Sequence, residues 1–123
     1  PVQINGNDMV DFVVAQGTSG IWRWRKWSSG LAECWGNTST PTNTNLTWNG
    51  LMYDGTMRGG HALPFTLTRI IHSDVTIEDP GGGAFWPGVH TVFNDKAPKF
   101  FVLSVGSYSR TVYLHYYVTG TWK

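Results

Sequence analysis

The chain has 123 residues and a formal net charge of +1, with only 14% charged residues against 15% aromatics, 15 glycines and 6 prolines. That length fits one domain, residues 1–123, with a core of its own. The even sign balance, with Arg23-Arg25-Lys26 as its densest basic cluster, excludes a nucleic-acid binder or an anionic-membrane binder on electrostatic grounds. Apolar runs are too short for a membrane-inserting helix or a signal-peptide core. One cysteine, Cys34, excludes an internal disulfide and a cysteine-rich metal site. The chain opens at Pro1 in mid-pattern, which reads as a piece of something longer. Two glycosylation sequons, at Asn37 and Asn45, read as chance in a chain so rich in Asn, Thr and Ser.

Helix periodicity is almost absent, and Thr, Val, Trp, Tyr and Phe dominate, a mix that suits a pleated, half-buried surface. Met9 to Ala15 is the first predicted strand, and Gly17-Thr18-Ser19-Gly20 the turn after it. Ile21 to Trp27 and Leu31 to Trp35 form a hairpin around Ser28-Ser29-Gly30, a three-residue loop with Gly30 in the left-handed region. In that register Trp27 faces Leu31, Arg25 faces Glu33 and Arg23 faces Trp35, while Trp22, Trp24, Lys26, Ala32 and Cys34 share the other face. A two-residue turn would slip the register by one and swap every partner. Asn37 to Gly50 is polar and is predicted as a long loop or irregular edge. Leu51 to Asp54 is a short strand, Met57 to Ala62 a loop, Leu63 to His72 and Asp74 to Glu78 strands, and Asp79 to Gly83 a turn or mobile loop. Gly88 to Phe93 is a further strand, and Phe100 to Val105 with Arg110 to Thr119 the last hairpin. Turn signals roughly every ten residues fit an all-β, antiparallel sandwich, jelly-roll-like, of about eight to ten strands.

The hairpin carries a resemblance. Gln16-Gly17-Thr18-Ser19-Gly20, followed by Trp22, Arg25-Lys26-Trp27, Ser29-Gly30 and Ala32-Glu33-Cys34-Trp35-Gly36, resembles the C-terminal head domains of tail-fibre and minor tail structural proteins from phages and prophages of Gram-positive bacteria. Leu63-Pro64-Phe65-Thr66-Leu67, the strand Val75-Thr76-Ile77 and the terminal Gly120-Thr121-Trp122-Lys123 agree with it more loosely. The resemblance implies a homotrimeric β-rich head at the end of a longer fibre protein. Such a head sits on the virion tail, is made in the bacterial cytoplasm without a signal peptide, and contacts a host polysaccharide or teichoic acid. It supplies no catalytic residues and no cofactor. It marks Trp22, Trp24, Arg25, Trp27, Glu33 and Trp35 as a structural signature.

Read from the residues alone, Trp22 and Trp24 are either a sugar-stacking platform or core and subunit interface, and their alternation with Ala32 and Cys34 favours the second. Arg25 and Glu33 form a cross-strand pair worth at most about 1 kcal/mol if exposed. Cys34 lacks a histidine beside it in the sequence and reads as a small core hydrophobe. His61, His72, His90 and His115 show no metal-ligand spacing, and Glu78-Asp79 read as a solvated strand end rather than the paired acids of a glycosidase. The binding residues are then sought in the connections. Trp48, Tyr53, Arg58, His61, Trp86, His90, Asn94 and Asp95 have the composition of a saccharide site, although Trp48 and Trp86 equally suit caps on the ends of the sandwich. The function expected is a non-catalytic, glycan-binding receptor-recognition domain, with a structural trimerisation cap as the second class and a cell-wall polysaccharide hydrolase as the third.

Overall fold

Apolar residues at every second position drive this chain into strands, and no helix forms among the described residues. The computed structural model describes residues 11–123, preceded by the paired backbone of two short strands, Gln3–Ile4 (β1) and Asn7–Asp8 (β2). The expected start of the first long strand, Met9-Val10, lies outside the described residues. The larger of two antiparallel sheets runs Val13–Ser19 (β3), Trp22–Trp27 (β4), Leu31–Asn43 (β5), Ser109–Thr121 (β12) and Arg69–Glu78 (β9), in that spatial order. The smaller runs Phe85–Thr91 (β10), Lys99–Ser104 (β11), Leu51–Tyr53 (β7) and Leu46–Trp48 (β6), with Arg58–Gly59 (β8) also paired to β11. The two sheets face each other across one core, so the antiparallel sandwich expected from the sequence is the fold.

Alternation on β12 places Val112, Leu114, Tyr116 and Val118 inward, against Phe100 and Val102 of β11 and Phe85 of β10. Trp22, Ala32, Cys34, Val75 and Ile77 complete the wall on the large-sheet side. Trp22 is 2% exposed, its ring centroid lies 5.7 Å from that of Tyr116, and its indole N–H donates to the Ala62 carbonyl at 2.7 Å. Trp24 leans on the core edge-to-face with Phe65, centroids 5.7 Å apart. Trp22 is therefore core, and Trp24, half-buried, packs against it from the same face.

The hairpin register is the expected one, with Arg25 opposite Glu33 and Arg23 opposite Trp35. Gly30 takes φ +99°, and its N–H closes the loop on the Trp27 carbonyl at 3.0 Å. Asp11 binds the loop from outside through the Ser29 N–H and both serine hydroxyls. Trp122 closes it from the other end, its amide donating to Gly30 and its indole to the Trp27 carbonyl. Lys26 lies among the rings of Trp24, Phe65 and Trp122.

Several elements differ from the sequence reading. Gly17 to Ser19 continue β3 instead of turning, because Gly17 leaves room for the Trp24 indole across the strand; the turn is only Gly20-Ile21. Residues 37–43 are not loop but the second half of β5, held along β12 to the pair Asn43–Ser109. Asn49-Gly50, at φ +47° and +83°, then turns β6 into β7 as a tight hairpin. Leu63 to Thr68 is not strand; Leu63 and Leu67 are buried, and their amides bond to the Asp95 and Asn94 carbonyls instead. The strand starts at Arg69 and runs unbroken to Glu78. Arg58–Gly59 make a two-residue strand inside the expected loop. β11 and β12 exist but do not form a hairpin: they lie in opposite sheets, and the segment between them crosses the sandwich.

Two carboxylates pin connections. Asp54 is 5% exposed and accepts from Thr42 Oγ1, the Asn43 and Thr56 amides and Arg58. Burial alone would raise its pKa, but the donors of Asn43, Thr56, Arg58 and Thr42 outweigh it and hold the pKa at about 2. Asp79, expected as solvated, has an almost fully buried carboxylate. It accepts from the Gly81 and Gly83 amides and pairs with Arg110, so the glycine run is a tied turn and not a mobile loop. Burial pushes Asp79 up, and the Gly81 amide, Arg110 and the Gly83 amide more than reverse it.

Asp54→Asn is expected to cost about 2 kcal/mol at neutral pH, the worth of hydrogen bonds to a charged acceptor. Because the folded-state pKa lies below the ordinary 3.8, the contribution is present above that value and is lost as pH falls toward 2. Denaturant titrations of both proteins at falling pH should show the gap closing over that window; a gap independent of pH rejects the assignment. Cys34 is fully buried, and burial first, then Glu33, push its thiol up to about 12. A disulfide reagent at pH 8 should therefore label the native domain negligibly and the unfolded chain stoichiometrically.

Candidate functional site

The outer face of the small sheet carries an apolar groove. On β11, Phe100 and Val102 enter the core and Phe101 faces outward, while Leu103, which lines the groove on the same side as Phe101, is itself buried. β10 brings Gly88 opposite Phe101, and β7 brings Tyr53 opposite Leu103. The β6–β7 hairpin then sets Trp48, opposite Leu51, at the sheet edge. A bulge between Val89 and Thr91 breaks the alternation, and three successive residues, Gly88, Val89 and His90, line the groove. The groove has a volume of about 460 Å³.

Its centre is the Phe101 ring, met edge-on by Tyr53 at 6.3 Å and by His90 at 6.2 Å. Leu103 is the floor. A methyl group on Gly88 would fall 2.7 Å from Leu103 Cδ1, so only glycine keeps the floor open without displacing that side chain. Trp48 is the wall and is 61% exposed, an unusual position for an indole that has a sandwich to pack against. It is therefore no cap on the core. Polar function comes from the Tyr53 hydroxyl and from His90, whose Nδ1 is hydrogen-bonded to Thr91 Oγ1.

Of the eight residues expected to bind, the structure brings together Trp48, Tyr53 and His90. Trp86 lies on β10 opposite Leu103, half-buried and beside the groove without lining it. Arg58 and His61 belong to a separate pocket of about 270 Å³ near Thr38 to Thr40. There Arg58 is held 3.1 Å from Asp54, and His61 stacks edge-on against Tyr116 at 5.7 Å. Asn94 and Asp95 serve through their carbonyls, which hold Leu67 and Leu63. Phe101, Leu103, Gly88 and Val89 were not anticipated; the continuous apolar run Phe100-Phe101-Val102-Leu103 carries no local sign of which residues face out.

The groove's described lining carries no carboxylate and no fixed cation, so it presents ring faces and two hydrogen-bonding groups. That suits the apolar face of an uncharged pyranose and does not supply the two facing acids of glycoside hydrolysis. Among the described residues, no group of three or more His, Cys, Asp or Glu could hold a metal ion. The known proteins add nothing to this geometry: no family model, curated protein or solved structure matches the chain.

Proposed function

We propose that the domain is a non-catalytic adhesion module, the receptor-binding head of a phage or prophage tail fibre, which grips a glycan on the bacterial surface through the Trp48–Tyr53–Phe101–His90 groove. The observation that carries the reading is the exposure of Trp48 beside a ring-lined groove on a sheet face, since a large indole left in water is a cost that binding relieves. The resemblance of the Trp22–Gly36 hairpin supports the placement on a fibre. The low charged fraction and the exposed Phe12, Val14, Ile71 and Val105 support assembly as a homotrimer, in which apolar surface is covered and three weak sites act together.

Trp48→Ala should weaken binding of the isolated domain to host cells or arrayed neutral glycans at least tenfold, about 1.4 kcal/mol per site. Its unfolding midpoint should stay that of the parent. Trp22→Ala, which empties the core, should instead cost about 3 kcal/mol or more. Undiminished binding by Trp48→Ala rejects the groove, and a domain that binds no glycan at all is a structural cap. Light scattering should give three times the 13.7 kDa chain mass; a monomer removes the fibre-head reading.

A further inference from the structure

The outer face of the large sheet, on the opposite side of the sandwich, offers a different chemistry. Alternation on β3, β4 and β5 places Gln16 and Thr18, Arg23 and Arg25, and Glu33, Trp35 and Asn37 on that face, and β12 adds Tyr117. Arg23 stands directly opposite Trp35 and is exposed; among the described residues no carboxylate lies within ion-pair distance of it. Arg25 lies over the Trp35 ring, 4.9 Å from its centroid, and reaches Glu33 only at 4.0 Å. Glu33 has a closer partner, the Tyr117 hydroxyl, which donates to it at 2.6 Å. Two guanidinium groups therefore stand beside one indole; of the acids described on this face, Glu33 is engaged by a neutral donor and Asp74 lies farther across the sheet, opposite Tyr117.

Two depressions of about 420 and 440 Å³ meet at Arg23 and Trp35. Gln16 and Thr18 border one and Asn37 the other, and the described lining of both contains arginine but no acid. The apolar groove on the far side has the reverse character: rings, and no fixed charge. A neutral sugar leaves Arg23 unused; a sugar with a negative substituent fits this face, its ring in the depressions that Trp35 lines and its anionic group on the planar fork of Arg23.

We infer that the Arg23–Trp35 face is a second glycan subsite, selective for a sugar residue carrying a carboxylate or a phosphate. The inference rests on the proposed glycan-binding role of the domain, and it adds the charge class of a second ligand. Both substituents present oxygens to a guanidinium in the same way, so the shared chemistry is an anionic group on a pyranose. Gln16, Thr18 and Asn37 are placed to bond ring hydroxyls.

The test is an NMR titration of the whole domain with three probes: methyl β-glucuronide, glucose 6-phosphate and the neutral methyl β-glucoside. The indole N–H of Trp35 and the side-chain N–H of Arg23 should shift saturably with one or both acidic probes and not with the neutral one. The stronger of the two acidic responses identifies the substituent. Raising NaCl from about 20 to about 300 mM should weaken this binding several-fold, since an exposed ion pair is screened. Arg23→Gln should lower acidic-probe affinity about tenfold while the response of Trp48 to methyl glucoside stays as in the parent. Equal affinity in Arg23→Gln, or equal responses of Trp35 to neutral and acidic probes, overturns the subsite and leaves the Trp48 groove standing. An acidic response at Trp35 with none from the neutral sugar at Trp48 keeps the subsite and rejects that groove. Silence at both tryptophans with all three probes rejects the subsite together with the glycan-binding reading beneath it.

Discussion

β12 bonds to β5 along its whole length, from the pair Ser109–Asn43 to the pair Thr121–Leu31, and to β9 from Tyr113–Glu78 to Thr121–Arg69. Its alternation is unbroken from Thr111 to Val118: each even-numbered residue is buried and each odd-numbered one exposed. One strand thus fixes both surfaces of the large sheet at once. Its inner residues set the spacing to Phe100 and Val102, and through them the position of β11. The outward residues of β11 are the centre of the apolar groove, so the geometry of that groove follows from how β12 packs beneath it. A one-residue slip between β5 and β12 would put Tyr113, His115 and Tyr117 into the core and bring Leu114 and Tyr116 to water, which is why the register is so strongly specified.

The connections between strands are held by acids rather than by bulk. Asp11 binds the hairpin loop, Asp54 ties the start of the β7–β8 connection to Thr42 and Asn43, and Asp79 folds the glycine turn onto Arg110. In a chain with eight acids this use is consequential, because it removes the most desolvated carboxylates from any chemistry with a ligand. Asp54 is already paired with Arg58, and Asp79 faces its own backbone. The same economy explains why Arg58, attractive in the sequence as a hydroxyl binder, is structural: the acid four residues before it takes its guanidinium. Arg23 lacks such a neighbour among the described residues, and that contrast between two arginines separates a fold device from a candidate contact.

Much of the strand content was legible, because period-two alternation is local. The register of the Trp22–Trp35 hairpin was legible, since Ser28-Ser29-Gly30 suits a three-residue loop and the loop sets the pairing, although Ile21 belongs to the preceding turn and the second strand runs on to Asn43. Pairing between distant strands was not legible. Phe100–Ser104 and Ser109–Thr121 are adjacent, apolar and separated by a turn, all of which favour a hairpin; their assignment to opposite sheets is decided by which partners cover them. Residues 37–43 read as loop because Asn, Ser, Thr and Pro disfavour a strand, yet β12 supplies a complete ladder of bonds, and tertiary pairing overrides weak propensity. Asn49-Gly50 was a local signal and was readable; the polar run around it hid it. The groove was half legible for the same reason. Trp48, Tyr53 and His90 stood out as aromatic or polar residues in connections, whereas Phe101 and Leu103 were indistinguishable from core until the sheet gave that strand an outer side.

The proposed sites lie on the outer faces of different sheets, with the core between them. In a sandwich, inward residues of the two sheets are shared and outward residues are not, so a substitution on one outer face reaches the other only through packed core. Trp48 and Trp35 are therefore independent by architecture, and their chemistries are free to differ: one groove apolar and uncharged, one face cationic with an indole between its arginines. A surface polymer that alternates neutral and acidic residues would meet both on a single subunit only by passing around its edge. Neighbouring subunits of a trimer could instead present one face of each kind to the same strand of polymer. In the proposed trimer, the division of the two chemistries between two faces would give assembly a recognition role beyond the simple multiplication of identical weak contacts.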